Sequence, residues 1–343
     1  MALFGLLPHT PIVDVLVVFA ATGFIWAGSG WLESSAERLS SYYGLPAVVQ
    51  GSVVVAVGSS FPELSSVVFA AISGVFDIGV GAVVGSAIFN ILAIPAISTL
   101  VSDEPLETNR TLVYKEAQFY MIAVSVLVVT FSFAVIYVPV PDGPPLLGRI
   151  TRPLAMLPLL LYGLYLFIQW QDVNDHDGDG ITDEIQVSRQ WVTLIAGLAI
   201  ILVAVENLVG SVESLSATYG IPELLAGVTI VAAATSLPDL LVSIRAARRG
   251  KSVTSLANVL GSNTFDLLVA IPLGVLIAGS VVIDFAAAVP MMGVLTLATV
   301  LLFAALRTEL SLTRVEAYAL VLSYLSFVAW IVAESLGMTN VLR

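Results

Sequence analysis

Two hexapeptides constrain this chain more than any other feature: Gly58-Ser59-Ser60-Phe61-Pro62-Glu63 and, 176 residues later, Ala234-Thr235-Ser236-Leu237-Pro238-Asp239. Each places a carboxylate directly after a proline, inside a run that is otherwise apolar for a full membrane span. An ionisable group at that depth is costly unless it has a partner or a bound ion, so it marks a candidate functional site. The proline removes a backbone donor and breaks the helical ladder, which frees carbonyls near the carboxylate. Freed carbonyls, hydroxyls and a carboxylate are hard oxygen ligands, the kind that suit alkali and alkaline-earth cations.

The setting is a membrane. The chain of 343 residues is 58% hydrophobic and 11% charged, with a mean hydropathy of +1.00. Successive apolar runs of about 20 residues read as membrane helices and exclude a soluble globular domain. Ten spans are predicted, roughly 11–31, 47–73, 78–101, 114–138, 153–170, 191–210, 223–247, 254–278, 282–305 and 315–336. The first reads as a span and not as a cleaved signal peptide, since no basic stretch precedes it and more spans follow. The absence of Cys excludes a disulfide framework, thiolate catalysis and a soft-metal site. His9 and His176 are the only histidines, which argues against an imidazole-ligated zinc or iron centre. A net charge of −12 makes nucleic acid or anionic substrates poor partners, and acidic loops suggest a salt-rich environment.

The two hexapeptides belong to a longer repeat. One register of 176 residues, without a gap, carries Gly44 to Gly220, Pro46 to Pro222, Ser60 to Ser236 and Pro62 to Pro238. It continues through Glu63 to Asp239, Gly85 to Gly261, Ser86 to Ser262, Phe89 to Phe265 and Asn90 to Asp266, which marks a duplication. Five spans per half is an odd number, so the second copy enters from the opposite side. The expected fold is therefore an all-α integral membrane protein of about ten transmembrane helices in two inverted-topology five-helix repeats. The first repeat covers residues 1–170 with its motif at 44–93, and the second covers 191–343 with its motif at 220–269. The acidic segment 171–190 lies between them. Inverted repeats belong to secondary transporters, with the site near the midplane where the halves meet. Ten of the 13 Lys and Arg residues fall on one side of this layout, including the cluster Arg245 to Lys251. That side is cytoplasmic by the positive-inside rule, which puts both termini outside and the 171–190 loop inside.

Ser59, Ser60 and Glu63 fall on the second span, Ser86 and Asn90 on the third; Thr235, Ser236 and Asp239 fall on the seventh, Ser262 and Asp266 on the eighth. Ser86 with Asn90, and Ser262 with Asp266, are i, i+4 pairs on one helix face. If the halves meet about a two-fold axis, three carboxylates, Asn90 and several hydroxyls converge. Carboxylates converging in low dielectric repel each other unless a cation or proton sits between them. A divalent ion fits such a site, as do two or three monovalent ions or protons in its place. For single Ser and Gly residues, helix packing is the plainer reading, and Gly81 and Gly85 are expected to mediate such contacts. It does not explain two acids in register.

These stretches, GSSFPELSSVVFAAISGVFDIGVGAVVGSAIFN and ATSLPDLLVSIRAARRGKSVTSLANVLGSNTFD, resemble the alpha repeats of the calcium/cation antiporter superfamily, the sodium/calcium exchangers. The resemblance covers both repeats and, loosely, the ten-span layout; spans 4, 5, 9 and 10 carry no motif. It implies that Glu63 and Asp239 are the principal calcium ligands, helped by Ser59 and Thr235. It implies sodium sites shared among Ala56, Ser60, Glu63, Ser86 and Asn90, and among Ala232, Ser236, Asp239, Ser262 and Asp266. The two alanines would act through their backbone carbonyls. Where the family often has Gly-Thr-Ser, this chain has Gly58-Ser59-Ser60 and Ala234-Thr235-Ser236. The second acid is Asp, and Pro-Asp followed by Ser-Asn-x-x-Asp is similar to the potassium-dependent branch, in which an acid at the Asp266 position is linked to potassium. Members without potassium coupling also carry that acid, so the coupling ion stays open between sodium alone, sodium with potassium, and protons. The Gly-Asn-x-x-Glu type of motif of the proton-coupled branch is absent.

The loop has a motif of its own. Asp175, Asp177, Asp179 and Asp183 stand at relative positions 1, 3, 5 and 9, with Gly180 at 6, which matches the start of a calcium loop. Gln186 occupies position 12, where an EF-hand needs a bidentate Glu, so the segment is closer to the shorter DxDxDGxxD loops. The alternatives are a regulatory calcium site and a solvated acidic linker.

The expected function is secondary active antiport of Ca2+ against Na+ by alternating access. Potassium-dependent exchange and Ca2+/H+ exchange are the alternatives within transport. A cation channel is disfavoured, because channels prefer rings of identical subunits and weak multi-site binding. An intramembrane aspartyl protease would leave the flanking hydroxyls without a role. The chain is expected to be no enzyme and to need no cofactor. Its expected partners are inorganic cations and the lipid bilayer of the plasma membrane; its oligomeric state is open.

Overall fold

The computed structural model describes residues 10–45, 54, 56–102, 105–110, 112–141, 143–174, 185–339 and 341–342. The acidic loop residues Asp175, Asp177, Asp179 and Asp183, and the opening of the second span, lie outside the described residues. The first half contains α1 (Pro11–Tyr42), α2 (Ala56–Ser59), α3 (Phe61–Ser73) and α4 (Phe76–Val101), followed by α5 (Leu112–Tyr137) and α6 (Arg152–Asn174). The second half contains α7 (Val187–Tyr219), α8 (Glu223–Thr235), α9 (Leu237–Arg248), α10 (Ser252–Ala278), α11 (Phe285–Arg307) and α12 (Arg314–Ser335). Among the described residues eight helices are long and apolar enough to cross a membrane. A ninth span is formed if α8 and α9, bent by 43° at their junction, count as one.

Helix ends obey the backbone more than the hydropathy. α1 and α7 run well past the ends expected from their apolar runs, since polar residues such as Glu33, Ser34 and Ser35 do not break a helix. Termination waits for glycine. Gly44 and Gly220 adopt φ of +71° and +64°, and Gly74 and Gly250 adopt +83° and +70°. These left-handed conformations cost little only for glycine, and each pair stands 176 residues apart.

The centre of the molecule is α4 and α10. Their most apolar windows are 89% and 83% buried, against 22–44% for the other long helices, which therefore form the periphery. Peripheral apolar side chains such as Phe19, Phe24, Leu160 and Leu322 point outward, as lipid-facing residues must. Small residues allow the central crossing. A Cβ on Gly81 would collide with the Leu224 carbonyl, and one on Gly227 with the Ile78 carbonyl, so the backbones of α4 and α8 touch. Gly85 meets Val228 in the same way, as the small-residue spacing implies.

The first helices of the two halves pack against each other and run antiparallel. The Ser214 hydroxyl near the end of α7 donates to Asp14 Oδ2 near the start of α1 at 2.8 Å. A Cβ on Gly28 would lie 3.0 Å from the Gly197 carbonyl oxygen, which marks their close crossing.

Four short strands, not expected from the sequence, tie the loops together. β1 (Leu106–Glu107) pairs antiparallel with β4 (Ser311–Leu312), and β2 (Leu147–Thr151) with β3 (Ser280–Asp284). β1 lies between the third and fourth predicted spans and β4 between the ninth and tenth; β2 follows the fourth and β3 the eighth. A strand pair requires both loops to be at one end of the bundle, as the alternation of the ten predicted spans expects.

Candidate ion-binding site

The site forms where two helices break. Ser60, between α2 and α3, has φ −83° and ψ 3°; Ser236, between α8 and α9, has φ −82° and ψ −6°. The cause is the proline two residues on, which has no N–H for the preceding turn. Pro62 and Pro238 then occupy the first turns of α3 and α9, where a missing donor costs nothing. The acids that follow, Glu63 and Asp239, also stand in those first turns, where the helix dipole favours negative charge.

The side chains interlock across the two halves. Ser86 on α4 donates to Glu63 Oε1 at 3.2 Å and accepts from the Ser236 hydroxyl at 2.7 Å. Its repeat mate Ser262 on α10 donates to Asp239 Oδ2 at 2.8 Å and shares a hydrogen bond with the Ser60 hydroxyl. Each acid is thus held by a serine of its own half, and that serine by a hydroxyl of the other half. Asn90 crosses the divide as well, donating to Asp239 Oδ2 at 2.8 Å and to Asn263 Oδ1 at 3.0 Å. Ser59 and Thr235 are fully buried beside these groups; Ser59 donates to the Ala56 carbonyl at 3.2 Å and Thr235 to the Val231 carbonyl at 3.1 Å. The Ala56 and Ala232 carbonyls already accept the Ser60 and Ser236 amides, at 2.9 and 3.0 Å.

Burial is complete and charge is uncompensated. Glu63, Asp239 and Asp266 have no exposed surface. Glu63 Oε2, Asp239 Oδ1, Asn90 Oδ1 and both carboxylate oxygens of Asp266 have no hydrogen-bond donor among the described residues. No Lys or Arg among the described residues forms an ion pair with the three acids. Two other buried glutamates show what a structural acid looks like here. Glu116 accepts from the Tyr165 hydroxyl at 2.8 Å and from Gln169 Nε2 at 2.7 Å, with Lys115 Nζ at 3.7 Å. Glu334 accepts from the Leu342 amide at 2.9 Å, the Val341 amide and the Thr339 hydroxyl. A buried polar group without a partner costs about 1–3 kcal/mol, and more when charged. Such a concentration of unpaired acceptors at one place calls for a cation.

The comparisons with known proteins agree with that chemistry. The profile of the sodium/calcium exchanger protein family matches residues 13–171 and 189–333. The chain belongs to the sodium/calcium exchanger protein family. The putative antiporter CaxA of Alkalimonas amylolytica is 29% identical over 324 residues, covering 91% of this chain and 94% of that protein. The sodium/calcium exchanger MaX1 of Methanosarcina acetivorans is 25% identical over 284 residues, covering 74% of this chain and 80% of that protein. The solved structure of the sodium-calcium exchanger NCX_Mj without Na+ and Ca2+ aligns with a TM-score of 0.64 at 26% identity, covering 94% of this chain and all of that one. The fold of this multi-pass, nearly all-helical protein is that of an exchanger.

In this family member the convergence of three carboxylates on one point needs correction. Among the described residues no three acidic side chains come close enough to hold one metal ion together. Asp266 stands one turn beyond Ser262 on α10, as Asn90 does beyond Ser86 on α4, but as a carboxyl group it has no N–H with which to bond the Glu63 or Asp239 oxygens, as Asn90 bonds Asp239. It still lies near enough to repel both.

Two site residues had no role assigned from the sequence, although Asn263 is the Asn of the Ser-Asn-x-x-Asp stretch. Asn258 Oδ1 accepts from Ser59 at 3.4 Å, and Asn263 Nδ2 donates to the Ala87 carbonyl at 3.0 Å and to the Tyr120 hydroxyl at 3.3 Å. Both amides are fully buried in an apolar span, which was a signal. Their repeat mates are Ala82 and Ala87, so the alignment that revealed the acids hid the amides. Tyr120 brings α5, which carried no motif, into the shell around the site.

Proposed function

We propose that the protein exchanges Ca2+ for Na+ across the plasma membrane by alternating access, with Glu63 and Asp239 as the principal calcium ligands. The carrying observation is the pair of fully buried carboxylates from opposite halves, each with one unpaired oxygen, held by serines and by no cationic side chain. Two negative charges and neutral oxygens match a divalent ion. The hydroxyls of Ser59, Ser60, Thr235 and Ser236 and the carbonyls of Ala56 and Ala232 complete the calcium and sodium ligand sets. Ser86, Asn90, Ser262 and Asp266 supply the remaining sodium oxygens. The names of the relatives, a sodium/calcium exchanger and an antiporter, support this reading.

The ten spans form two inverted five-helix repeats with the site between them. The antiparallel α1 and α7, the glycine pairs in one register and the strand pairing support that arrangement. α1 and α7, of 32 and 33 residues, are peripheral and pack on each other, so they are the pair that slides across the core to open one side at a time. The termini lie outside and the 171–190 loop inside, where Asp175, Asp177, Asp179 and Asp183 bind regulatory calcium. On the outer face a cavity of about 610 Å3 is bounded by Asp77, Glu223 and Asp284 and, among the described residues, by no Lys or Arg, a field that collects cations.

Potassium co-transport is the second reading. The observation that favours it is the Asp266 carboxylate, whose two oxygens meet no donor.

Radiocalcium uptake into proteoliposomes under separate sodium, potassium and proton gradients tests both readings. Outward sodium alone is expected to drive uptake, and Glu63→Ala to abolish it. A potassium requirement selects the second reading, and uptake driven only by protons replaces the coupling ion. No uptake under any gradient overturns calcium as the substrate.

A further inference from the structure

One buried acid outside the core site is also unpaired. Glu33, on α1, is 8% exposed, and its Oε1 has no hydrogen-bond partner among the described residues. It forms part of the wall shared by two adjoining cavities. The smaller, about 170 Å3, is bounded by Trp26, Gly30, Glu33, Arg245 and Pro238, the residue before Asp239. The larger, about 300 Å3, opens toward the face that carries Arg249 and Lys251. Glu33 therefore stands between that solution and the break in the seventh span.

The charges around it are unequal. Arg38, Arg245, Arg249 and Lys251 border the larger cavity, against Glu33 and Glu37. Asp239 and Arg245 on α9 and Glu37 on α1 are the charged groups that act on Glu33. A cation crossing this basic vestibule is repelled until it reaches a carboxylate, and Glu33 is the one next to the core. With a single carboxyl group and space for water, it suits a monovalent ion held weakly, which passage requires. The repeat mate of Glu33 is Val209, so the opposite path has no counterpart at this place.

We propose that Glu33 is a second cation site, on the Arg249/Lys251 side of the core, that holds sodium in transit between Asp239 and solution. The proposal rests on the exchange reading above. The test uses the full chain in right-side-out and inside-out vesicles, with sodium titrated on one face while radiocalcium flux is followed. Glu33→Val, which copies the other half, is expected to raise half-saturating sodium roughly threefold or more on the Arg249/Lys251 face only. Glu33→Asp, which keeps the charge, is expected to restore it. Half-saturating sodium on the opposite face should stay unchanged in both variants, which reports an intact core. If Glu33→Val does not assemble, the isosteric Glu33→Gln takes its place. No shift on either face, or an equal shift on both, overturns the proposal while leaving exchange in place. A wild-type protein without sodium-driven flux overturns the exchange reading and this site together.

Discussion

Asn90 and Asp266 occupy the same place in the two halves and behave differently. Asn90 donates to Asp239 and to Asn263, and its helix α4 continues as regular α-helix. Asp266 meets no donor and opens a π-helical turn, Asp266–Ala270, within α10. Such turns widen a helix locally and concentrate at functional sites. The acid–serine relays around them are two-fold: Glu63 with Ser86 and Ser236, and Asp239 with Ser262 and Ser60. The symmetric part therefore suits an ion shared by both halves. The asymmetric part adds one carboxyl group, and the potassium reading proposed above rests on it.

The strongest way to break this comparison is to remove one of the symmetric acids. Glu63→Gln and Asp239→Asn are each expected to lower radiocalcium uptake by roughly 100-fold or more, about 3 kcal/mol for a lost buried charge partner. A tenfold difference between the two would mean that the halves do not share the ion equally. The asymmetric position is expected to matter less for calcium and more for the coupling ion. Asp266→Asn, which restores the two-fold pattern, should keep uptake within roughly tenfold, or 1.4 kcal/mol, of wild type. It should also flatten the sodium dependence or remove a potassium requirement, read from flux against each ion. Unchanged coupling in this variant would strip Asp266 of its assigned role. The smallest effects belong to the hydroxyl relays. Ser86→Ala and Ser262→Ala should each cost about 1 kcal/mol, a severalfold loss of apparent calcium affinity, as for one hydrogen bond. The double variant should depart from additivity, since both serines act through one bound ion.

Much of the fold was legible from hydropathy alone. Each predicted span is mainly helical over its described residues, apart from the breaks at Ser60 and Ser236 and the strand residues 282–284 that open the ninth, because a chain in lipid must satisfy its backbone within each segment. Helix ends were less legible, since Gly44 and Gly220 stop α1 and α7 by conformation well beyond the apolar runs. The strand pairs were illegible: β1 and β4 are two residues each and gain a partner only through folding. In the site, Glu63, Asp239, Ser60, Ser86, Asn90, Ser236 and Ser262 were read as one constellation, and the structure joins them in two hydrogen-bonded groups, Glu63 with Ser86 and Ser236, and Asp239 with Ser262, Ser60 and Asn90. Asn258 and Asn263 were given no role because the repeat register pairs them with Ala82 and Ala87, and Tyr120 because its span carries no motif.

The sequence by itself determined that the chain spans a membrane, that it is duplicated in one register, and that an acid follows a proline at the same depth in each copy. Those are properties of composition and spacing along the chain. Only the tertiary structure decided that Ser86 answers to Ser236, that Asn90 reaches Asp239, and that Asp266 stands apart from the acid pair. These contacts depend on how far each helix is rotated and how closely it crosses its neighbour. That distance is set where Gly81, Gly85 and Gly227 let backbones touch, between residues far apart in sequence.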